Sequence, residues 1–151
     1  MSSQQPFSPQ AVKAADRLEP LAVDGRKPVL LLVEDNRTNQ LLGKTVLEHL
    51  GCEVEVVADG ASAMSAVYNR AYDLVLMDLS MPVMDGTEAT RRLRALGVTT
   101  PIVALTATTT PADRERLQAG GFNGCLMKPV TAAALQAAIA GILASPASRR
   151  G

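Results

Sequence analysis

Tryptophan is absent from this 151-residue chain, and only two phenylalanines and two tyrosines occur. A platform that stacks bases on aromatic rings has no material here. Charge of one sign is missing too, since fifteen basic residues balance fifteen acidic ones. The chain therefore offers no net field to attract nucleic acid or an anionic membrane surface. Its two cysteines, Cys52 and Cys125, have no metal-ligand spacing and suit a reduced cytosolic pair. No run approaches the ~20 apolar residues of a membrane-spanning helix. The longest weakly polar stretch, 132–144, is interrupted by Gln136 and Gly141. The N-terminus, Met1-Ser-Ser-Gln-Gln-Pro-Phe-Ser8, lacks the basic and apolar parts of a secretory signal. These absences predict a cytoplasmic protein with no nucleic-acid ligand and no direct membrane contact.

What is present begins with a boundary. Residues 1–27 contain Pro6, Pro9 and Pro20 and no strand pattern. They read as an N-terminal linker or arm. Ser8 and Pro9 suit the start of one short helix, as N-cap and first helical residue. Residues 28–145 read as one domain and 146–151 as a tail.

Within 28–145 short apolar runs alternate with helical periodicity. Val29–Val33, Asp73–Met77, Pro101–Leu105 and Gly124–Met127 read as buried strands. Glu53–Val57 alternates polar and apolar residues, so it is expected at a half-exposed edge. Helices are expected over Thr38–Leu50, Ala61–Arg70, Gly86–Leu96, Thr110 to about Gly120, and Thr131–Ala144. Leu42, Val46 and Leu50 form one face of the first, and Gly51 suits its C-terminal stop. Leu135, Ile139 and Ile142 form the core stripe of the last, whose other faces are small and apolar. Five strands alternating with five helices imply an α/β fold, a doubly wound parallel sheet of flavodoxin-like type. Right-handed crossovers make the strand order 2-1-3-4-5 the natural choice.

That frame gathers charged residues at the carboxyl ends of strands, where open α/β sheets bind ligands. Glu34 and Asp35 follow the first strand, Asp78 the third and Lys128 the fifth. Crowded carboxylates repel one another unless a cation joins them. A hard divalent ion with oxygen ligands, most simply Mg²⁺, resolves the conflict. A spare carboxylate, a cation and a lysine together suit phosphoryl chemistry. The first βα turn, Glu34-Asp-Asn-Arg-Thr-Asn39, lacks the glycines that present amides to a bare phosphate, which argues against a dinucleotide or flavin site. His49, the single histidine, lacks the surroundings of a phosphotransfer histidine and reads as structural or exposed.

Four segments then resemble one family. Leu31-Leu-Val-Glu-Asp-Asn36, Asp73-Leu-Val-Leu-Met-Asp-Leu-Ser-Met-Pro-Val-Met-Asp-Gly86, Val103-Ala-Leu-Thr-Ala107 and Met127-Lys-Pro129 are similar, in order and interval, to the receiver domain of two-component response regulators. That family itself exemplifies the order 2-1-3-4-5, so the topology is part of the resemblance. The resemblance implies that Asp78 is the phosphoryl acceptor, a carboxylate nucleophile. It implies that Asp35 binds Mg²⁺ directly, that Glu34 acts through a water, and that Asp78 and the backbone carbonyl of Ser80 complete the ligands. Lys128 would pair with phosphoryl oxygens, and Thr106 would offer them a hydroxyl. The Lys128–Pro129 bond would be cis. The domain would be a switch rather than an enzyme. Its donor would be a phosphohistidine on a histidine kinase or phosphotransfer protein, docking around Asn39, Leu41 and Leu42.

The chain departs from the family in one place. An aromatic residue commonly stands three positions before the lysine, and here that place is Cys125. Ser80 and Thr108 occupy positions that tune phosphoryl lifetime. The Glu-Asp-Asn-x-x-Asn start and the preceding arm resemble receivers of hybrid histidine kinases; a stand-alone regulator, monomeric or weakly dimeric, fits the same residues. A receiver-like interaction module that signals without phosphate is the alternative, though no acceptor, acidic residue or lysine is missing.

Overall fold

A computed structural model describes residues 6–79 and 86–144 of the chain. Its sheet has five parallel strands: β1 (Val29–Val33), β2 (Glu53–Val57), β3 (Leu74–Asp78), β4 (Ile102–Thr106) and β5 (Gly124–Met127). Their spatial order is β2-β1-β3-β4-β5, as the alternation of elements predicts. Among the described residues six helices surround it: α1 (Pro9–Asp16), α2 (Arg37–His49), α3 (Gly60–Asn69), α4 (Gly86–Ala95), α5 (Pro111–Ala119) and α6 (Ala132–Leu143).

The period of two along each strand divides the core between the sheet's faces. Leu30 and Leu32 of β1 pack with Val46, Leu47, Leu135 and Ile139 of α2 and α6. Leu31 and Val33 point the other way, toward Ala63, Val67, Ala89 and Leu93 of α3 and α4. Both faces are covered, so β1 and β3 up to Met77 are apolar, and all but Val29 of these residues are buried. The fifth strand differs from its expectation. It stands at the edge, as the strand order requires, but it is only half-buried, and Met127 is 53 % exposed. Three apolar residues in a row cannot distinguish a central strand from an edge. The stripe of α6 also shifts: Ala132, Leu135, Ile139 and Leu143 are buried, whereas Ile142 is half-buried.

Local signals set the helix ends. Asn36, Asp59, Thr110 and Thr131 each accept a bond from the backbone N–H three residues on. Thr110 and Asp113 complete a reciprocal capping box. Gly51, with φ of 97°, closes α2 in the left-handed region that glycine tolerates.

The segment before β1 lies against the domain. α1 packs on α2 and α6, burying Phe7, Ala11 and Ala15 with Leu21 and Val23 beyond it. Leu21 N–H donates to the Leu50 carbonyl at 2.7 Å, and Gln136 Nε2 donates to the Glu19 carbonyl at 2.8 Å. His49 meets Asp16 across the α1–α2 contact. Arg26 then clamps Asp73 through two bonds of 2.8 and 2.9 Å, and Asp73 also accepts the Val29 N–H at 2.8 Å. This buried carboxylate ties the starts of β1 and β3 together. Asp73→Ala is expected to cost on the order of 2 kcal/mol, because it strands the Val29 N–H and releases the half-exposed Arg26 that ties down the chain before β1. Urea unfolding midpoints check it; an unchanged midpoint would show the clamp to be idle.

Candidate functional site

Strand register dictates the site. Val33 lies opposite Met77, so Glu34 and Asp78, the next residues on neighbouring strands, emerge side by side. On the other flank Asp78 lies opposite Leu105, and Thr106 lies opposite Met127. Lys128 follows directly, its backbone N–H donating to the Thr106 carbonyl at 2.8 Å. Its Nζ reaches across to Asp78 Oδ1 at 2.6 Å, with both side chains about 5 % exposed or less. The Lys128–Pro129 peptide is cis.

Glu34, Asp35 and Asp78 each place an oxygen within 4.8 Å of the others. Asp35 is exposed, whereas Glu34 and Asp78 are buried. Glu34 is held from the α2 side. Its Oε2 accepts the Asn36 N–H at 3.0 Å and Asn39 Nδ2 at 3.4 Å, while Gln40 Nε2 donates to its carbonyl at 2.6 Å. Its Oε1 is buried with no hydrogen-bond partner among the described residues. Burial, and then the adjacent Asp78 carboxylate, push the Glu34 carboxyl up to about 8. An orphaned carboxylate oxygen, two further carboxylates and an opening at Asp35 fit a hard divalent cation.

The raised Glu34 value carries a stability prediction. The folded protein keeps a proton that the unfolded chain releases near 4.5. The native state therefore binds more protons between those values, and metal-free stability falls as pH rises toward about 8. Urea midpoints across this window should decline, and Glu34→Gln should flatten the slope. Equal slopes in parent and variant would contradict the assignment.

The structure brings Glu34, Asp35, Asp78 and Lys128 together, with Thr106 half-buried at the end of β4 beside them. Ser80 lies outside the described residues. The expected docking cluster does not hold as a surface. Asn39 is buried against Glu34 and Leu42 is half-buried; of the three only Leu41, 67 % exposed, faces solvent. Thr108 is occupied, its hydroxyl donating to Asp113 Oδ2 at 2.7 Å within the cap of α5. Cys125 is half-buried in an open cleft of about 590 Å³, together with Leu117 and Phe122. Sequence reasoning missed the clasp of Asn39 and Gln40 on Glu34. Its signal was the Asn36-x-x-Asn39 spacing, which places both side chains at the first turn of α2.

Comparison with known proteins agrees with this geometry. The response regulator receiver domain model matches residues 30–140. Sensor protein GacS of Pseudomonas syringae pv. syringae is 42 % identical over 130 residues, covering 83 % of this chain and 14 % of its own length. The chain thus spans a small part of that relative. Two-component response regulator ORR41 of Oryza sativa subsp. japonica is 43 % identical over 106 residues, covering 68 % of this chain and 84 % of that protein. Among solved structures, the receiver domain of sensor histidine kinase PA1611 from Pseudomonas aeruginosa PAO1 superimposes with a TM-score of 0.72 at 41 % identity. The match covers 79 % of this chain and 99 % of that one, which holds a magnesium ion in its active-site cleft. No helix among the described residues is long and apolar enough to cross a membrane. By strand order, by the acidic cluster with its lysine, and by the matched region, the chain belongs to the response regulator receiver domain family.

Proposed function

We propose that this domain accepts a phosphoryl group on Asp78 from a phosphohistidine donor, with Mg²⁺ held by Glu34, Asp35, Asp78 and the Ser80 carbonyl. The observation that carries the reading is the pairing of Lys128 with Asp78 at 2.6 Å inside a cluster of three carboxylates. Bound Mg²⁺ would neutralise charge on the phosphoryl oxygens. An Asp78 carboxylate oxygen attacks phosphorus, the P–N bond breaks, and its electron pair leaves with the imidazole. Lys128 turns from Asp78 to the incoming phosphoryl oxygens without leaving the strand end. Thr106 donates its hydroxyl to the same group. The chain's own work is positioning and charge balance, which is most of what phosphoryl transfer asks of a protein.

The resemblance to a segment of a sensor protein indicates a kinase-type partner. Its phosphohistidine, on a kinase or a phosphotransfer protein, would approach over α2, where Leu41 supplies the exposed apolar contact. A hybrid-kinase setting is the reading we favour for the whole protein. Incubation with acetyl phosphate and Mg²⁺, followed by intact mass, tests the acceptor. One added phosphoryl group, absent with chelator, is expected. Mg²⁺ affinity should also rise with pH through about 8, because Glu34 must lose its proton to join the cation's shell.

A further inference from the structure

The matched family region begins at residue 30, yet the chain from Pro6 to Val23 is built into the fold. This strap meets two elements that flank the acidic site, the loop after Lys128 and helix α2. The Pro6 carbonyl accepts the Val130 N–H at 2.7 Å, two residues beyond Lys128. Phe7, fully buried, fills the notch left by Gly43 of α2. A Cβ at Gly43 would stand 2.7 Å from both the Phe7 ring and Leu32, the β1 residue two before Glu34. Any larger residue at 43 would have to displace one of them.

The loop carrying Lys128 is anchored by the buried Val130 side chain and by few backbone bonds. Lys128 N–H is tied to Thr106 on β4, and Thr131 caps α6. Between them, among the described residues, the loop's backbone is held by the bond from Val130 to Pro6. Lys128 also extends from an edge strand that is half-exposed, so the sheet supports it on one flank alone. We propose that Pro6 and Phe7 are positioning residues for Lys128, so that docking of the N-terminal strap and binding of a phosphoryl group at Asp78 are coupled. The inference rests on the phosphoryl-accepting reading above. Through linkage, a group that draws Lys128 into place favours the docked strap, and a docked strap favours that group.

The 151-residue parent, Phe7→Ala and Phe7→Leu are titrated with Mg²⁺ and then with beryllofluoride, which reports the phosphoryl site. Phe7→Ala should weaken beryllofluoride by about tenfold, Phe7→Leu should restore most of it, and Mg²⁺ affinity should stay within about twofold. Equal loss of Mg²⁺ and beryllofluoride affinity would mean general loosening and overturn positioning. Unchanged beryllofluoride affinity, with faster hydrogen exchange at the Val130 amide, would overturn it as well. The parent supplies a second test that survives if Phe7→Ala cannot fold. Saturating Mg²⁺ and beryllofluoride should slow exchange at the Ala11 and Leu21 amides of the strap by about fivefold or more. No slowing there, in a parent that binds beryllofluoride, overturns the coupling and leaves the acceptor reading intact. A parent that binds none with Mg²⁺ present overturns both.

Discussion

Asp78→Asn is expected to take up no phosphoryl group from acetyl phosphate and Mg²⁺, while folding within about 1 kcal/mol of the parent at pH 7. The amide matches the carboxylate in shape and still offers Lys128 an oxygen, but it is not a nucleophile toward phosphorus. Loss of uptake should therefore be complete rather than partial. Its stability cost is small because two changes oppose each other. The variant loses the ion pair at 2.6 Å, and it also loses one of three carboxylates packed within 4.8 Å. Removing Asp78 takes away the second-largest cause of the raised Glu34 value, leaving burial. Glu34 then ionises more readily and can answer part of the charge on Lys128. The metal-free decline in stability between about pH 5 and 8 should become shallower. Mg²⁺ affinity should drop by about tenfold or more, since one charged ligand is gone. Intact mass and urea unfolding read these effects separately. Uptake by the variant equal to the parent's would move the acceptor away from Asp78. Loss of uptake with a collapsed midpoint would leave the acceptor role unproven and point to a structural carboxylate.

Much of this site was legible because strand ends are where sequence pattern and function coincide. Apolar runs of four or five residues ending in Asp or Glu fixed the strands and their carboxyl edge together. The alternation in Glu53–Val57 put β2 at the sheet's edge, where the structure has it. What periodicity could not supply was contact between elements far apart in sequence. The strap shows this most clearly. Phe7 finds its notch only because Gly43 has no side chain, and neither residue announces the other. The bond from Val130 to Pro6 spans nearly the whole domain in sequence and uses backbone atoms that carry no residue signature. Asn39 failed as a docking residue for a related reason. A polar residue at the start of a helix suggests exposure, but Asn39 turns inward to donate to the buried Glu34 Oε2. The edge position of β5 followed from the strand order, but its half-exposure was hidden by its shortness: Cys125-Leu-Met127 is too brief to show an alternating face.

Lys128→Ala should separate the two tasks of that residue. Without its charge, three carboxylates share one strand-end cleft with no cation from the chain beside them. Breaking a buried pair by removing one partner leaves the other uncompensated, at a cost on the order of 3 kcal/mol. Part of that cost is avoided because Asp35 opens the cluster to water and Glu34 can hold its proton. In the variant the cation no longer shares the carboxylates with an ammonium and should bind about a hundredfold more tightly than in the parent, so saturating Mg²⁺ returns about 2.7 kcal/mol of the difference. Urea midpoints of parent and variant should therefore lie well apart in chelator and close together in Mg²⁺. Phosphoryl uptake should not recover in the same way. The lysine meets charge that develops on the phosphoryl oxygens during transfer, and removing one such contact typically slows a reaction by about a hundredfold. The variant in Mg²⁺ should thus be nearly as stable as the parent and still slow to accept phosphoryl from acetyl phosphate. Recovery of both properties by Mg²⁺ would reduce Lys128 to a counter-charge for the resting cluster. Recovery of neither would mean that its side chain braces the β5–α6 loop itself, and that the carboxylates tolerate one another better than their spacing implies.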